Sequence, residues 1–95
     1  MTNALRLSLD EEISLHVYPN PVTSFATITF TLHKSENVLI RLFSVEGKEL
    51  MEITNENFSE GNHAVNFPVG TLATGIYFVQ LNTEQGVMTK KVVVD

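Results

Sequence analysis

The chain has 95 residues, which is room for one small domain. Apolar residues make up 43% of it and charged residues 18%, a balance typical of a folded globular domain rather than a disordered segment. The net charge is -5, and Lys and Arg never form a run longer than two, so we expect no nucleic-acid partner. The absence of Cys excludes disulfides and thiolate metal sites.

Residues 1–12 show no alternation of apolar and polar side chains, and we predict that they form a linker or a segment added at cloning. The folded domain is expected to cover residues 13–95. No stretch reaches the about 20 consecutive apolar residues of a membrane-spanning helix, and the first residues lack the pattern of a secretory signal peptide. The sequence therefore predicts neither membrane insertion nor self-directed export.

Alternation with a period of two residues dominates residues 13–95 and predicts half-buried β-strands. In the clearest run, one face would carry Ala26, Ile28, Phe30 and Leu32, and the other Thr27, Thr29 and Thr31. β-Branched Thr suits the solvent-facing side of a pleated strand. Similar alternation predicts four further strands, around Ile13–Val17, Val38–Leu42, His63–Phe67 and Tyr77–Leu81.

Two more strands are predicted because they follow tight-turn signals. Glu49–Thr54 follows Glu46-Gly47, and Val87–Val94 follows Glu84-Gln85-Gly86, where Gly accepts the positive φ of such turns. A helix over Glu46–Asn57 is the alternative, weakened by the Gly that it would contain. About seven short strands separated by turn signals predict an all-β fold, an immunoglobulin-like antiparallel β-sandwich.

The alternation also predicts which side chains fill the core. We expect the following to be buried: Ile28, Phe30, Ile40, Leu42, Val65, Tyr77, Val79 and Leu81. The three Thr of the clearest run should face solvent. Because side chains alternate along a strand, a register error of one residue would exchange the two sets.

Catalytic and metal-binding patterns are weak. The three histidines, His16, His33 and His63, fall on different predicted strands or strand ends, without a cluster at ligand spacing. His63 is interpreted as a strand-end side chain. Ser44 and Ser59 lack the setting of a nucleophile elbow. We therefore expect no enzyme activity, no metal site and no cofactor.

Pro19-Asn20-Pro21 follows the first predicted strand. Two prolines fix φ and remove two backbone donors, so the strand must end there and the chain must turn. An ordinary strand-ending turn explains this geometry completely, and direct recognition by a partner is the alternative.

The run Gly75-Ile76-Tyr77-Phe78-Val79 is apolar at successive positions, which predicts a central strand buried on both faces. Tyr77 should send its ring inward while its hydroxyl finds a partner at the edge.

In the last predicted strand, Lys90-Lys91 precedes Val92-Val93. Adjacent strand residues point to opposite faces, so the two lysines cannot share one patch. Protection of an exposed sheet edge is one role for this pair, and specific docking to a partner is the other.

Taken in chain order, four motifs resemble the type A C-terminal sorting domain of the Por (type IX) secretion system: Tyr18-Pro19-Asn20-Pro21, Gly47-Lys48, Gly75-Ile76-Tyr77-Phe78 and Lys90-Lys91 near the chain end. The resemblance covers roughly Val17 to Asp95. It identifies the candidate sorting and partner-binding residues as Pro19, Asn20, Pro21, Gly47, Gly75, Tyr77, Lys90, Lys91, Val92 and Val93.

The resemblance implies a non-catalytic secretion signal at the end of a larger exported precursor, with the cargo domain on its N-terminal side. The implied partners are outer-membrane translocation components and a sortase-like peptidase, which would remove the domain as the cargo is released or attached to surface lipopolysaccharide. The implied route leads to the periplasm and then to the cell surface or the medium. Exposed edge strands also allow a strand-exchanged dimer in isolation.

A surface adhesion, carbohydrate-binding or spacer sandwich is the competing function. Adhesion and sugar-binding modules present exposed aromatic rings, and the chain has no Trp and only two Tyr, Tyr18 and Tyr77. The spacer remains open because a sandwich fold alone implies no function.

Overall fold

The computed structural model describes residues 14–18 and 24–95. Their strands are β1 (Leu15–Tyr18), β2 (Phe25–Leu32), β3 (Glu36–Ser44), β4 (Glu49–Phe58), β5 (Gly61–Pro68), β6 (Gly75–Thr83) and β7 (Gly86–Val94). Within the described ranges there is no helix of the length and apolarity needed to cross a membrane. The predicted all-β fold of about seven strands is confirmed.

The strands form two antiparallel sheets that pack face to face. Sheet A has the order β1-β2-β5, and sheet B has the order β4-β3-β6-β7. The chain crosses from one sheet to the other after β2, after β4 and after β5. Each sheet turns one apolar face towards the other, which is the architecture of a β-sandwich.

Tyr77 makes a contact that is characteristic of immunoglobulin-like domains. It lies near the start of β6, and its hydroxyl donates a hydrogen bond to the carbonyl oxygen of Ala73 at 2.6 Å. A Tyr that bonds back to the corner before the sixth strand is known as a tyrosine corner. The chain lacks the Cys and Trp that mark antibody domains. The immunoglobulin-like subtype therefore stays a prediction, which the Tyr77 contact supports.

The core lies between the sheets and follows the predicted alternation. Of the predicted core residues, Ile28, Phe30, Ile40, Leu42, Tyr77, Val79 and Leu81 are buried. Val65 is half-buried and packs against the same cluster. The predicted register is therefore correct, because the predicted core residues face the core and the three Thr of β2 do not.

The three Thr of β2 face away from the core, as predicted, but they are half-buried rather than fully exposed. The neighbouring strand β5 covers part of them. Thr27 donates a hydrogen bond to Asn66 Oδ1 at 2.8 Å, and Thr31 donates one to Asn62 Oδ1 at 2.7 Å. Cross-strand partners of this kind shield a Thr on the outer face of a sheet.

Three rings join the two sheets. Phe30 of β2 and Phe58 of β4 meet edge to face with centroids 5.2 Å apart, and His63 of β5 lies 5.0 Å from Phe58. The Nε2 atom of His63 is 2.7 Å from the carbonyl oxygen of Ser59. His63 is the third residue of β5, near the beginning of the strand, and its ring turns inwards and packs against both Phe rings.

Strand β4 is longer than predicted. It continues past Thr54 to Phe58, and its pairing with β3 shifts register between Ile40 and Arg41 and again between Leu42 and Phe43. Such irregularities interrupt the alternation of faces on which the prediction relied.

One end of the sandwich is defined by four residues. The connection 69–74 leads from Pro68 in sheet A to Gly75 in sheet B, so these two residues lie at the same end. Ser44 of β3 pairs with Tyr77, two residues after Gly75, and so lies close to this end of sheet B. Tyr18 is the last residue of β1 and lies at the same end of sheet A as Pro68. This end is termed the Gly75 end.

Candidate functional site

Several of the predicted sorting residues meet at the Gly75 end of sheet B. Gly75 opens β6, and Tyr77 lies in one row with Ser44 of β3 and Val92 of β7. Gly47 lies in the turn that follows Ser44. Positions that are far apart in sequence thus form one continuous region of the sheet.

Tyr18, the residue before the proline motif, ends the strand β1 of sheet A. It is 49% exposed. Pro19, Asn20 and Pro21 lie outside the described residues, so their role as a strand-ending turn or as a recognition element stays a prediction.

Gly47 closes the turn between β3 and β4. Its N–H donates to the carbonyl oxygen of Ser44 at 3.0 Å, and the hydroxyl of Ser44 accepts a bond from the N–H of Lys48 at 3.2 Å. The φ of Gly47 is 91°. A Cβ would be strained at this φ, so the backbone geometry of the turn explains the Gly.

Tyr77 turns its ring into the core and is 9% exposed. The predicted inward ring and bonded hydroxyl are both confirmed, and β6 is an inner strand between β3 and β7. The predicted burial of this strand on both faces is wrong. On the outer face, Ile76 is 41% exposed and Phe78 is half-buried. In the described part of the chain, sheet A covers sheet B from one side only.

We expect Tyr77→Phe to lower the free energy of unfolding by about 1 kcal/mol, because the ring stays in place while the carbonyl of Ala73 loses its donor. Urea denaturation measures the loss. Tyr18→Phe is the matched control, since it removes a hydroxyl from an exposed residue and should change stability by less than about 0.5 kcal/mol. Equal stability of the Tyr77 variant and the parent would contradict a structural role for the hydroxyl.

Strand β7 places Lys90 and Lys91 on opposite faces of sheet B, as predicted. Lys90 lies opposite Val79, whose side chain is in the core, and Lys91 lies opposite Phe78 on the outer face. Both lysines are exposed. Lys90 therefore extends from the face of β7 that is turned towards sheet A, and Lys91 extends from the outer face.

The surroundings of each lysine favour a different role. Within the described residues, β7 is the edge strand of sheet B. A charge on the core-facing side of an edge strand discourages pairing with other chains, and Lys90 has this position. Lys91 shares the outer face with Ile76, Phe78 and Val93. The outer side of β7 therefore combines a cation with the exposed Ile76 and the half-buried Phe78 and Val93.

No catalytic constellation is formed by the residues that the structure describes. His16 lies on the outer face of sheet A opposite Thr29, His33 lies in the connection after β2, and His63 belongs to the ring cluster. In residues 14–18 and 24–95, no group of three or more His, Asp or Glu could hold a metal ion. The hydroxyl of Ser44 is used in its turn.

Glu36 is a buried residue that the sequence did not single out. It is 1% exposed at the start of β3, and its Oε1 accepts a hydrogen bond from the N–H of Glu84 at 3.0 Å. This bond ties the beginning of β3 to the turn between β6 and β7, remote from the Gly75 end. The one signal in the sequence was its spacing, because Glu36 lies two residues before Val38 and four before Ile40 and therefore on the same, buried face of the strand.

Comparison with known proteins identifies the family. No curated protein matches the chain. The family model of the secretion system C-terminal sorting domain matches residues 16–95, which include β2 to β7 and every predicted sorting residue. The match confirms the resemblance that rested on the order of short motifs. The chain therefore belongs to the family of secretion-system C-terminal sorting domains.

Proposed function

We propose that the chain is the C-terminal signal that takes a cargo protein through the periplasm and across the outer membrane by the type IX secretion system, and that a sortase-like peptidase then removes it. The observation that carries this proposal is the family match over residues 16–95. A domain of this family implies a cargo on its N-terminal side and export to the cell surface or the extracellular space. The role needs no catalysis and no cofactor from the chain itself.

The recognition surface in this proposal is the outer face of sheet B at the Gly75 end. Val93 lies opposite Ile76, and Lys91 lies opposite Phe78, so the four side chains are neighbours. An outer-membrane translocation component that contacts them meets both a positive charge and apolar area. This combination suits a protein interface, where apolar anchors supply affinity and charges at the rim supply orientation.

The fold supports this surface from behind. β7 pairs with β6 from Gly86 to Val94, and Val92 and Val94 are buried. A surface on a rigid strand loses little conformational entropy when a partner binds. In this view Gly47, Gly75 and Tyr77 shape and stabilise the end of the sheet, whereas Lys91 and Val93 contact the partner.

Removal of the signal requires a cut between the cargo and the sandwich. We assign the linker role to residues 1–12 and the sorting domain to residues 13–95. Leu15 is 2% exposed at the start of β1, so a cut beyond it would separate a core side chain from the domain. The proposed cleavage therefore lies ahead of Leu15.

The test is a fusion of the complete chain to the C-terminus of a reporter enzyme that carries its own signal peptide. In a host with a working type IX system, we expect the reporter at the cell surface or in the medium, in a form that has lost the sandwich. Mass spectrometry of the exported reporter locates its new C-terminus, which should lie ahead of Leu15.

The matched control joins the same two parts in the reverse order, with the chain ahead of the reporter. A C-terminal signal predicts that this fusion stays in the periplasm. Retention of the first fusion, or equal export of both, would contradict the proposal. Export of the first fusion in uncut form would uphold sorting and contradict removal by a peptidase.

A further inference from the structure

The outer face of sheet A carries no charged Asp, Glu, Lys or Arg in the described part of the chain. Its outward positions follow from the strand register and are His16, Tyr18, Phe25, Thr27, Thr29, Thr31, Asn62, Ala64, Asn66 and Pro68. Charged residues make up 18% of the whole chain, and the outer face of sheet B includes Arg41 and Glu49, which form an ion pair. The absence of charged side chains therefore distinguishes the outer face of sheet A from that of sheet B.

Hydroxyls and amides form an ordered row on this face. Thr27 donates to Asn66 Oδ1 and Thr31 donates to Asn62 Oδ1, at 2.8 and 2.7 Å. Each bond uses the amide oxygen and so fixes the orientation of the Asn side chain, whose two N–H donors remain for another acceptor. Four residues of one strand separate the two amides, which is about 13 Å. The two amides thus present N–H donors on the same face of the sheet, each anchored through its oxygen to a Thr hydroxyl.

Two aromatic rings stand on the same face. Tyr18 is 49% exposed and Phe25 is 62% exposed. Tyr18 lies opposite Thr27, so Phe25, two residues along β2, is its diagonal neighbour, a relation with a typical spacing of about 7–8 Å. Both rings are therefore accessible to one ligand.

An open depression of about 480 Å³ continues from Tyr18 along the face. Its lining includes His16, Thr29, Thr31 and Asn62. The volume falls in the range of small-molecule sites, about 300–1,000 Å³. The Tyr18 ring lines one end of this depression together with neutral hydrogen-bonding groups, and Phe25 lies outside the lining on the same face of the sheet.

We infer that the outer face of sheet A binds a neutral glycan chain. A pyranose ring has an apolar face of C–H groups and a rim of hydroxyls. The rings of Tyr18 and Phe25 offer flat apolar surfaces for the C–H groups, and the Thr hydroxyls, Asn amides and His16 offer donors and acceptors for the rim.

Other ligand classes fit the face less well. A phosphate backbone or an acidic polymer requires cationic side chains, and none of the outward positions carries Lys or Arg. A stable protein interface has an apolar centre, whereas the central strand of this face presents Thr27, Thr29 and Thr31. The glycan site lies on sheet A, and the proposed sorting surface lies on sheet B. Either can exist without the other.

Affinity electrophoresis of the purified chain tests the inference. Native gels contain dextran, yeast mannan, xylan or a β-1,3-glucan, and a parallel gel contains the anionic polymer polygalacturonate. We expect retardation in at least one neutral gel and none in the anionic gel. Tyr18→Ala and Phe25→Ala should each weaken this binding about tenfold, as truncation of an aromatic anchor does.

Val87→Ala is the matched control, because Val87 is 58% exposed but lies on sheet B, and it should bind like the parent. Thr29→Val keeps the shape of the side chain and removes one hydroxyl, so it should reduce retardation in the same gel. Unchanged thermal unfolding by circular dichroism shows that the variants are folded.

Three results would overturn the inference. The first is that the parent migrates in every neutral gel as it does in a gel without polysaccharide. The second is retardation that survives both ring truncations, and the third is retardation by polygalacturonate alone. Light scattering adds a fourth. A dimer that Tyr18→Ala and Phe25→Ala dissociate, without retardation in any gel, would assign the face to a second copy of the chain.

Discussion

We expect Phe30→Ala to lower the free energy of unfolding by about 3–5 kcal/mol. Phe30 is 2% exposed and contacts the rings of Phe58 and His63, so its truncation leaves a cavity where the two sheets meet. Small domains have a total stability of only about 5–15 kcal/mol. The variant should therefore be close to unfolding at physiological temperature.

Phe25→Ala is the matched control for this measurement. It makes the same chemical change on the same strand, but Phe25 is 62% exposed on the outer face. A surface truncation of this kind should change stability by less than about 0.5 kcal/mol. Urea denaturation of the two variants separates them, and equal losses would show that the register of β2 is shifted.

The second large effect concerns the two lysines of β7, which we expect to respond differently to substitution. Lys91→Ala should leave the domain soluble and folded but reduce export of a fused reporter about tenfold, because Lys91 belongs to the proposed recognition surface. Lys90→Ala should increase aggregation, since it removes the charge from the core-facing side of β7, which is the edge strand of sheet B among the described residues, while the soluble fraction is still exported.

Lys34→Ala controls for the loss of a positive charge. Lys34 is exposed and pairs with Glu84, remote from the Gly75 end. Its substitution should leave both export and solubility unchanged. Export of soluble Lys91→Ala at the parental rate would contradict docking at this position, and the edge-protection role would then explain the lysine pair by itself.

Substitutions test the end of the chain better than deletion does. Removing residues 88–95 would also remove Val92 and Val94, which are buried at 0% and 3% exposure. Loss of two core side chains destabilises a small domain whether or not a partner reads its last strand. A deletion that blocks export would therefore not separate misfolding from lost recognition.

The sequence allowed the fold to be predicted where alternation is regular. In β2, Thr at every second position marks the outer face, and the intervening apolar residues are buried as expected. The turns at Gly47 and Gly86 were equally clear, because both have a positive φ that Gly tolerates. Local chemistry determines these features, so one sequence is enough to see them.

Features that depend on the other sheet could not be predicted in the same way. Ile76 and Phe78 are apolar and therefore looked buried, but an apolar residue does not reveal whether a second layer covers it. The ring contacts of His63 were not predicted, because Phe30 and Phe58 belong to other strands. Phe25 was not recognised as an exposed ring, although its phase with Thr27 and Thr29 places it on the outer face of β2.

Export of the reporter fusion in matched hosts tests the central claim most directly. One host has a working type IX system and the other lacks it, and the reporter is quantified in the periplasm and outside the outer membrane. If the chain is a sorting signal, the reporter will be found outside only in the first host, and will accumulate in the periplasm of the second. Retention in both hosts, or equal export from both, would contradict the assignment.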